Sequence, residues 1–169
     1  MIKKKVCLIG GYAIGKTSLV QQFVTGIFSE SYLTTVGVKI DKRNVEVGDK
    51  EALLMIWDLA GSDQFASVCQ SHYRGAEGFL FVVDGTRRET LTAAMTEQAD
   101  IAQNFPKASS IILVNKSDLT DEWEVNEDDL QPFRDLGITV YYTNAKSGKN
   151  VAEAFQSLTE DMVTIGSEP

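Results

Sequence analysis

An apolar stretch, Val6-Cys7-Leu8-Ile9, runs directly into Gly10-Gly11-Tyr12-Ala13-Ile14-Gly15-Lys16-Thr17, and from there into a helical pattern carried by Leu19, Val20, Phe23 and Val24. The octapeptide satisfies G-x-x-x-x-G-K-[ST], and it lies between a strand and a helix as that motif requires. At average composition the fixed positions would be met somewhere in a chain this long in about 1% of cases. Glycines at both ends let the backbone curl until successive N–H groups converge on a polyphosphate, which also meets a helix N-terminus. Lys16 supplies positive charge and Thr17 a hydroxyl for magnesium. A chain built this way is constrained to an α/β fold with the loop at the edge of a sheet.

The rest of the sequence agrees with that constraint. Apolar, β-branched runs recur at Val36–Ile40, Leu53–Trp57, Gly78–Asp84, Ser110–Asn115 and Ile138–Thr143, with helix-like stretches between most of them. The alternation predicts βαβ units around a mostly parallel sheet. Between the second and third runs, Val45-Glu46-Val47-Gly48-Asp49-Lys50 and its flanks are too short for a helical crossover, so that pair is expected to be an antiparallel hairpin in a mixed, six-stranded sheet. The clearest helix places Val151, Ala154, Phe155, Leu158 and Met162 on one face, with Asn150 and Glu153 at capping-box spacing. No repeat, low-complexity tract or linker interrupts the chain; Pro106, Pro132 and Pro169 fall at loop, helix-start and terminal positions, and residues 1–169 are expected to form one domain.

Composition narrows the function. With 43% hydrophobic and 24% charged residues, the 169-residue chain has the balance of a globular protein, and no apolar run is long enough to span a membrane. A net charge of -8 argues against a nucleic-acid partner held by its phosphates, so any bound phosphate must be held locally. Residues 117–135 account for seven of those charges and are expected to be a solvated loop feeding a helix capped by Asn126, a basic partner being the other reading. Two cysteines, Cys7 and Cys69, give no disulfide framework, and the expected setting is a reducing cytoplasm. The last residues offer no cysteine to prenylate, and Ile2 stands where myristoylation needs glycine, so no lipid anchor is expected.

Three further elements extend the chemistry. Trp57-Asp58-Leu59-Ala60-Gly61 ends the third strand, where Asp58 could hold magnesium through water and the Gly61 N–H could touch a γ-phosphate. Asn115-Lys116-Ser117-Asp118 ends the fifth, outside the carboxyl edge of the sheet, where such folds bind ligands. The Asp118 carboxylate can accept from guanine's ring N–H and exocyclic amine, and adenine cannot reciprocate. Thr143-Asn144-Ala145-Lys146 follows the sixth strand and could offer the Ala145 N–H to the guanine oxygen.

Taken in order over residues 3–163, these elements resemble the Ras superfamily of small GTPases. Phe23-Val24 leading to Phe28, Tyr32-Leu33-Thr34-Thr35-Val36-Gly37-Val38, the Trp57–Gly61 element and Tyr73-Arg74-Gly75-Ala76-Glu77-Gly78 resemble its Rab-like branch. The resemblance implies a P-loop NTPase domain of the G-domain type, its sheet flanked by about five helices, that binds GTP or GDP with Mg²⁺ and hydrolyses GTP. The whole loop, Gly10, Gly11, Tyr12, Ala13, Ile14, Gly15 and Lys16, would cradle phosphates, and Ser18 would meet the α-phosphate. Phe28 would pack on guanine, Lys116 and Lys146 would flank it, and Tyr32 and Thr35 would lie on the nucleotide. Thr35 would join Thr17 and Asp58 at the metal, and Lys16, Thr35, Gly61 and Ser62 form the implied catalytic set. Loss of the third phosphate would release the loops carrying Thr35 and Gly61, the basis of a two-state switch. Effectors, an exchange factor and an activating protein are the implied partners of a monomer, with effectors meeting Ile40, Trp57 and Tyr73; Ile40 departs from the aromatic residue of the branch.

Two departures bear on the reaction. Ser62 stands where most relatives carry the glutamine that orients the attacking water, and a serine hydroxyl cannot reach as far. Gln64 is roughly 7 Å further along an extended chain, and Asp63 would bring a second negative charge to a polyphosphate. Tyr12 is bulky enough to crowd the approach of an activating arginine, or its hydroxyl could reach phosphate or the second loop. Slow hydrolysis is therefore expected, the alternative being a GTP-binding interaction module with negligible turnover. A P-loop kinase is disfavoured by the base-reading element and the lack of a lid domain. His72, in a short helix expected over 67–74, and Cys69 are read as packing residues, and Arg87 and Arg88 as solvated charges.

Overall fold

A computed structural model of the chain describes residues 2–11, 13–26, 38–59 and 70–167. Six strands form one sheet in the order β2-β3-β1-β4-β5-β6: β1 (Ile2–Ile9), β2 (Val38–Val47), β3 (Lys50–Leu59), β4 (Gly78–Asp84), β5 (Ser109–Asn115) and β6 (Thr139–Tyr142). Only β2 runs antiparallel to its neighbour; the remaining pairings are parallel. The mixed, mostly parallel sheet expected from the apolar runs is what forms.

The period of two along the central strands divides the core into two faces. Val6 and Leu8 of β1, Leu80 and Val82 of β4, and Ile111 and Leu113 of β5 point to one side. There they meet Leu19, Val20 and Phe23 of α1 (Lys16–Thr25) and Ala154, Phe155, Leu158 and Met162 of α4 (Val151–Ser167). Cys7, Ile9, Phe79, Phe81, Val83, Ile112 and Val114 point to the other, against Leu91, Ala94 and Ile101 of α2 (Arg88–Asn104) and Leu130 and Phe133 of α3 (Glu127–Asp135). Strands covered on both faces read as unbroken apolar runs, which is why β4 and β5 were legible from sequence.

Four α-helices are present among the described residues, against about five expected. The short helix expected over 67–74 is one 3-10 turn, Gln70–Tyr73, ended by Gly75 at φ +77°; residues 67–69 lie outside the described set. The strand boundaries also differ from the apolar runs. The first strand begins at Ile2, and Lys4 and Lys5 within it are partly covered by the sheet and find partners for their heads. Lys4 pairs with Glu77, and the Lys5 ammonium sits 3.7 Å from the Trp57 ring centre while donating to the Arg74 carbonyl at 2.8 Å. β2 and β3 absorb most of the expected connector, pairing from Val38↔Leu59 to Val47↔Lys50 and leaving only Gly48 and Asp49 as the turn. Gly48, at φ +61°, supplies the left-handed residue such a turn requires.

Two expectations about caps and prolines are corrected. Pro132 lies inside α3, at its sixth residue, and not at its start. The helix tolerates it because only the bond to the Asp128 carbonyl is forgone before the chain turns out at Gly137, φ +77°. Asn150 precedes α4 in a left-handed conformation, φ +58°, and spends its amide nitrogen on the Tyr142 carbonyl at 2.9 Å. At α3 the expected cap forms: the Asp129 carboxylate accepts the Asn126 N–H at 2.8 Å. The acidic segment is solvated as expected, with all of its acidic residues but Asp129 exposed, and several of them also find partners. Asp129 pairs with Arg88, Glu127 with Arg134 and the Tyr142 hydroxyl, and Glu124 accepts the Arg88 N–H at 2.8 Å, so α3 and its entry loop are tied to α2 and β6.

Candidate functional site

The carboxyl ends of β1, β3, β4, β5 and β6 come together at one edge of the sheet, and the glycine-rich loop leaves β1 at its centre. The loop's curvature is built from left-handed residues: Ala13 at φ +59° and Gly15 at φ +96°. Gly15 is required twice over, since a Cβ there would also stand 2.4 Å from the Asn115 side-chain nitrogen. Gly10 is held to glycine by space alone, a Cβ meeting the Ile14 side chain at 2.1 Å and the Val82 carbonyl at 2.9 Å. α1 starts at Lys16 with Gly15 as its cap and no side-chain oxygen bonded there. Its first N–H groups, with Ser18 in the first turn, therefore face the mouth of the loop, an arrangement suited to anions.

Lys16 is 7% exposed, and its ammonium arches back over the loop to the Gly10 and Gly11 carbonyls at 3.2 and 3.3 Å. Beside it the Thr17 hydroxyl donates to the Asp58 carboxylate at 2.6 Å, Asp58 being wholly buried at the end of β3. A hydroxyl and a buried carboxylate side by side at a phosphate-loop mouth are hard oxygen donors of the kind Mg²⁺ takes, so the residues present fit that ion.

The third element is bound into the same structure. Asn115 is buried, and its amide donates to the Ile14 carbonyl at 3.0 Å while its oxygen accepts the Thr143 hydroxyl at 3.2 Å. One side chain thus joins the loop, β5 and the end of β6. Lys116, at φ +66°, donates to the Ala13 carbonyl at 3.1 Å and to Asp84 at 2.8 Å. Asp118 and Lys146 are exposed on this edge, and Ala145 turns its methyl into the core. Asn144 folds the loop that carries them, its oxygen accepting the Lys146 N–H at 2.9 Å.

Gly10, Gly11, Ala13, Ile14, Gly15, Lys16, Thr17, Ser18, Asp58, Asn115, Lys116, Asp118, Ala145 and Lys146 are thus gathered at one edge. Tyr12, Phe28, Tyr32, Thr35, Gly61 and Ser62 lie outside the described residues, as do Asp63, Gln64 and Cys69. Of the expected effector residues, Ile40 is 45% exposed and pairs directly across the hairpin with Trp57. The Trp57 ring lies 6.3 Å from that of His72. Tyr73 turns inward, edge-on to Phe79 and Phe105 at 5.7 and 6.3 Å.

Sequence reasoning missed Asp84, a wholly buried carboxylate at the end of β4, and with it the place of Arg87. Arg87 is not simply solvated, since its Nε reaches Asp84 at 3.0 Å, and Arg88 pairs with Asp129. Burial would raise the Asp84 carboxyl, but hydrogen bonds from Lys116, Thr86 and Arg87 outweigh it and hold the group below its ordinary value. The available signal was a lone acid closing an otherwise apolar strand.

A protein-family model for the Ras family matches residues 5–164. The chain belongs to the Ras family. As a Ras-family protein it is a P-loop, GTP-binding switch of the small-GTPase class, a class that hydrolyses GTP. Ras-family GTPases bind GTP and GDP, typically with Mg²⁺, and work through effectors, exchange factors and activating proteins. The match spans the loop, the hairpin, the Asn115–Asp118 element and most of α4.

Proposed function

We propose that this chain is a Rab-like, monomeric, cytoplasmic GTP switch, one G domain throughout, whose hydrolysis is slow because Ser62 occupies the water-orienting position. The observation that carries the nucleotide site is the junction of the phosphate loop with the base-reading element: Asn115 to Ile14 and Lys116 to Ala13. In this reading the loop N–H groups and the start of α1 hold the phosphates, with Ser18 at the α-phosphate. Asp118 selects guanine, Lys116 and Lys146 flank the base with Phe28, Tyr32 closes on the nucleotide, and the Ala145 N–H meets the guanine oxygen. Thr17, Thr35 and, through water, Asp58 hold Mg²⁺, which neutralises charge on the phosphates when bound. Lys16 stabilises charge that develops as the terminal phosphoryl leaves, and the Gly61 N–H meets the γ-phosphate. Tyr12 narrows the space an activator's arginine would enter. Effectors of the GTP state dock near Ile40, Trp57 and Tyr73.

The test begins with the nucleotide released when freshly purified protein is denatured, identified by anion-exchange chromatography. An unassisted relative with the usual glutamine turns over at roughly 4 × 10⁻⁴ s⁻¹, which leaves only GDP after hours of handling. Retained GTP is the expected result here. Single-turnover hydrolysis should then rise about tenfold or more in Ser62→Gln. A wild-type rate typical of the family, unchanged in Ser62→Gln and Tyr12→Gly, would overturn the slow-switch reading. No measurable turnover in any of them would favour the interaction module, for which the sequence at Ser62 is the supporting observation.

A further inference from the structure

Resting on the reading of this edge as a guanine-nucleotide site, we infer that Asp84 is a positioning residue for nucleotide retention, fixing the Lys116 ammonium between β4 and the phosphate loop. The strand that ends in Asp84 is otherwise apolar and buried from Gly78 to Val83. A carboxylate with no solvent exposure is costly unless its oxygens are filled by donors. Here both are. Oδ1 accepts the Thr86 N–H at 2.9 Å and the Thr86 hydroxyl at 2.6 Å; Oδ2 accepts Lys116 Nζ at 2.8 Å and Arg87 Nε at 3.0 Å. The depressed carboxyl noted above keeps Asp84 an anion at neutral pH, so the charge that faces Lys116 is permanent.

Parallel pairing sets Asp84 opposite Asn115, one residue before Lys116. Lys116 holds a left-handed backbone, φ +66°, which a residue with a Cβ keeps only when its surroundings over-determine it. Two of its three ammonium hydrogens are directed, one to Asp84 and one to the Ala13 carbonyl. Ala13 is itself left-handed, so the same ammonium also pins the strained residue of the phosphate loop. Without the Asp84 charge, Lys116 loses the partner that orients it, and base flank and loop loosen together. Asp84 touches neither phosphate nor base in this scheme and acts through Lys116 alone.

The test is the release of a fluorescent GDP analogue in the presence of Mg²⁺, followed by stopped flow for wild type, Asp84→Asn, Lys116→Ala and the double variant. Asp84→Asn should release at least about tenfold faster, the loss of one charge-assisted bond. The double variant should release no faster than Lys116→Ala, which a merely structural role would not produce. Thr86→Val, which removes only the hydroxyl on Oδ1, should accelerate release about threefold. Unchanged release in Asp84→Asn, or multiplied effects in the double variant, would overturn the inference. If Asp84→Asn does not fold, unchanged release in Thr86→Val overturns it instead. Failure of the wild-type protein to bind the GDP analogue would bring down the nucleotide-site reading itself; normal wild-type binding with unresponsive variants brings down only the role of Asp84.

Discussion

Glycine occurs for different reasons at different positions of this chain, and substitution separates them. At Gly15 a methyl group meets both an unfavourable φ of +96° and the Asn115 nitrogen that ties the loop to β5. Gly15→Ala should therefore lose nucleotide binding and destabilise the protein by about 2 kcal/mol or more, read from GDP titration and urea unfolding. At Gly48 the φ is +61° but a Cβ would meet nothing within 4 Å. Gly48→Ala should cost only about 1 kcal/mol and leave nucleotide binding unchanged. Equal losses in the two variants would show that the Asn115 contact carries no weight. Both glycines were legible as turn formers, but only the fold shows that one of them also faces a side chain 100 residues away.

At the scale of elements, α1 and α4 are held together by Phe23 and Phe155, whose rings stack at 4.0 Å between centres and 3° between planes. Both sit in the core, Phe155 with no exposure at all. Phe155→Ala should destabilise the protein by about 3–5 kcal/mol, with an unchanged denaturant slope, whereas Leu136→Ala, 67% exposed, should stay within about 0.5 kcal/mol. A loss under about 1 kcal/mol at Phe155 would mean that α4 is not anchored by this stack. The apolar face of α4 was readable from its spacing, yet its partner was not, because helical periodicity states which side is buried and not what buries it. The hairpin shows the converse. Its antiparallel sense followed from the short connection, but its length did not, since polar β2 residues pair through the backbone without leaving an apolar signature.

For the whole molecule, buried titratable groups on the two sides of neutrality define the pH range of stability. Asp84 lies below its ordinary value in the folded state, so its contribution is present above about pH 4 and is lost as pH falls through the folded value. The Cys7 thiol, buried in the core, is pushed up to about 12, so its contribution is complete below the ordinary thiol value of about 8.5 and is lost as pH rises towards 12. Melting temperature against pH should show a plateau between these limbs; Asp84→Asn should flatten the acid limb and Cys7→Ala the alkaline one. Limbs unmoved by either variant would assign them to other groups. The sequence by itself determined the phosphate loop, the mixed, mostly parallel six-stranded sheet, and the antiparallel hairpin within it. Each depends on residue chemistry and backbone curvature within a few neighbouring positions. Only the tertiary structure decided that Asn115 reaches Ile14, 101 residues away, and that Lys116 reaches Asp84, 32 away. The burial of a charge, and the partner that makes it tolerable, are set by how strands far apart in the chain are brought side by side, and no local pattern encodes that pairing.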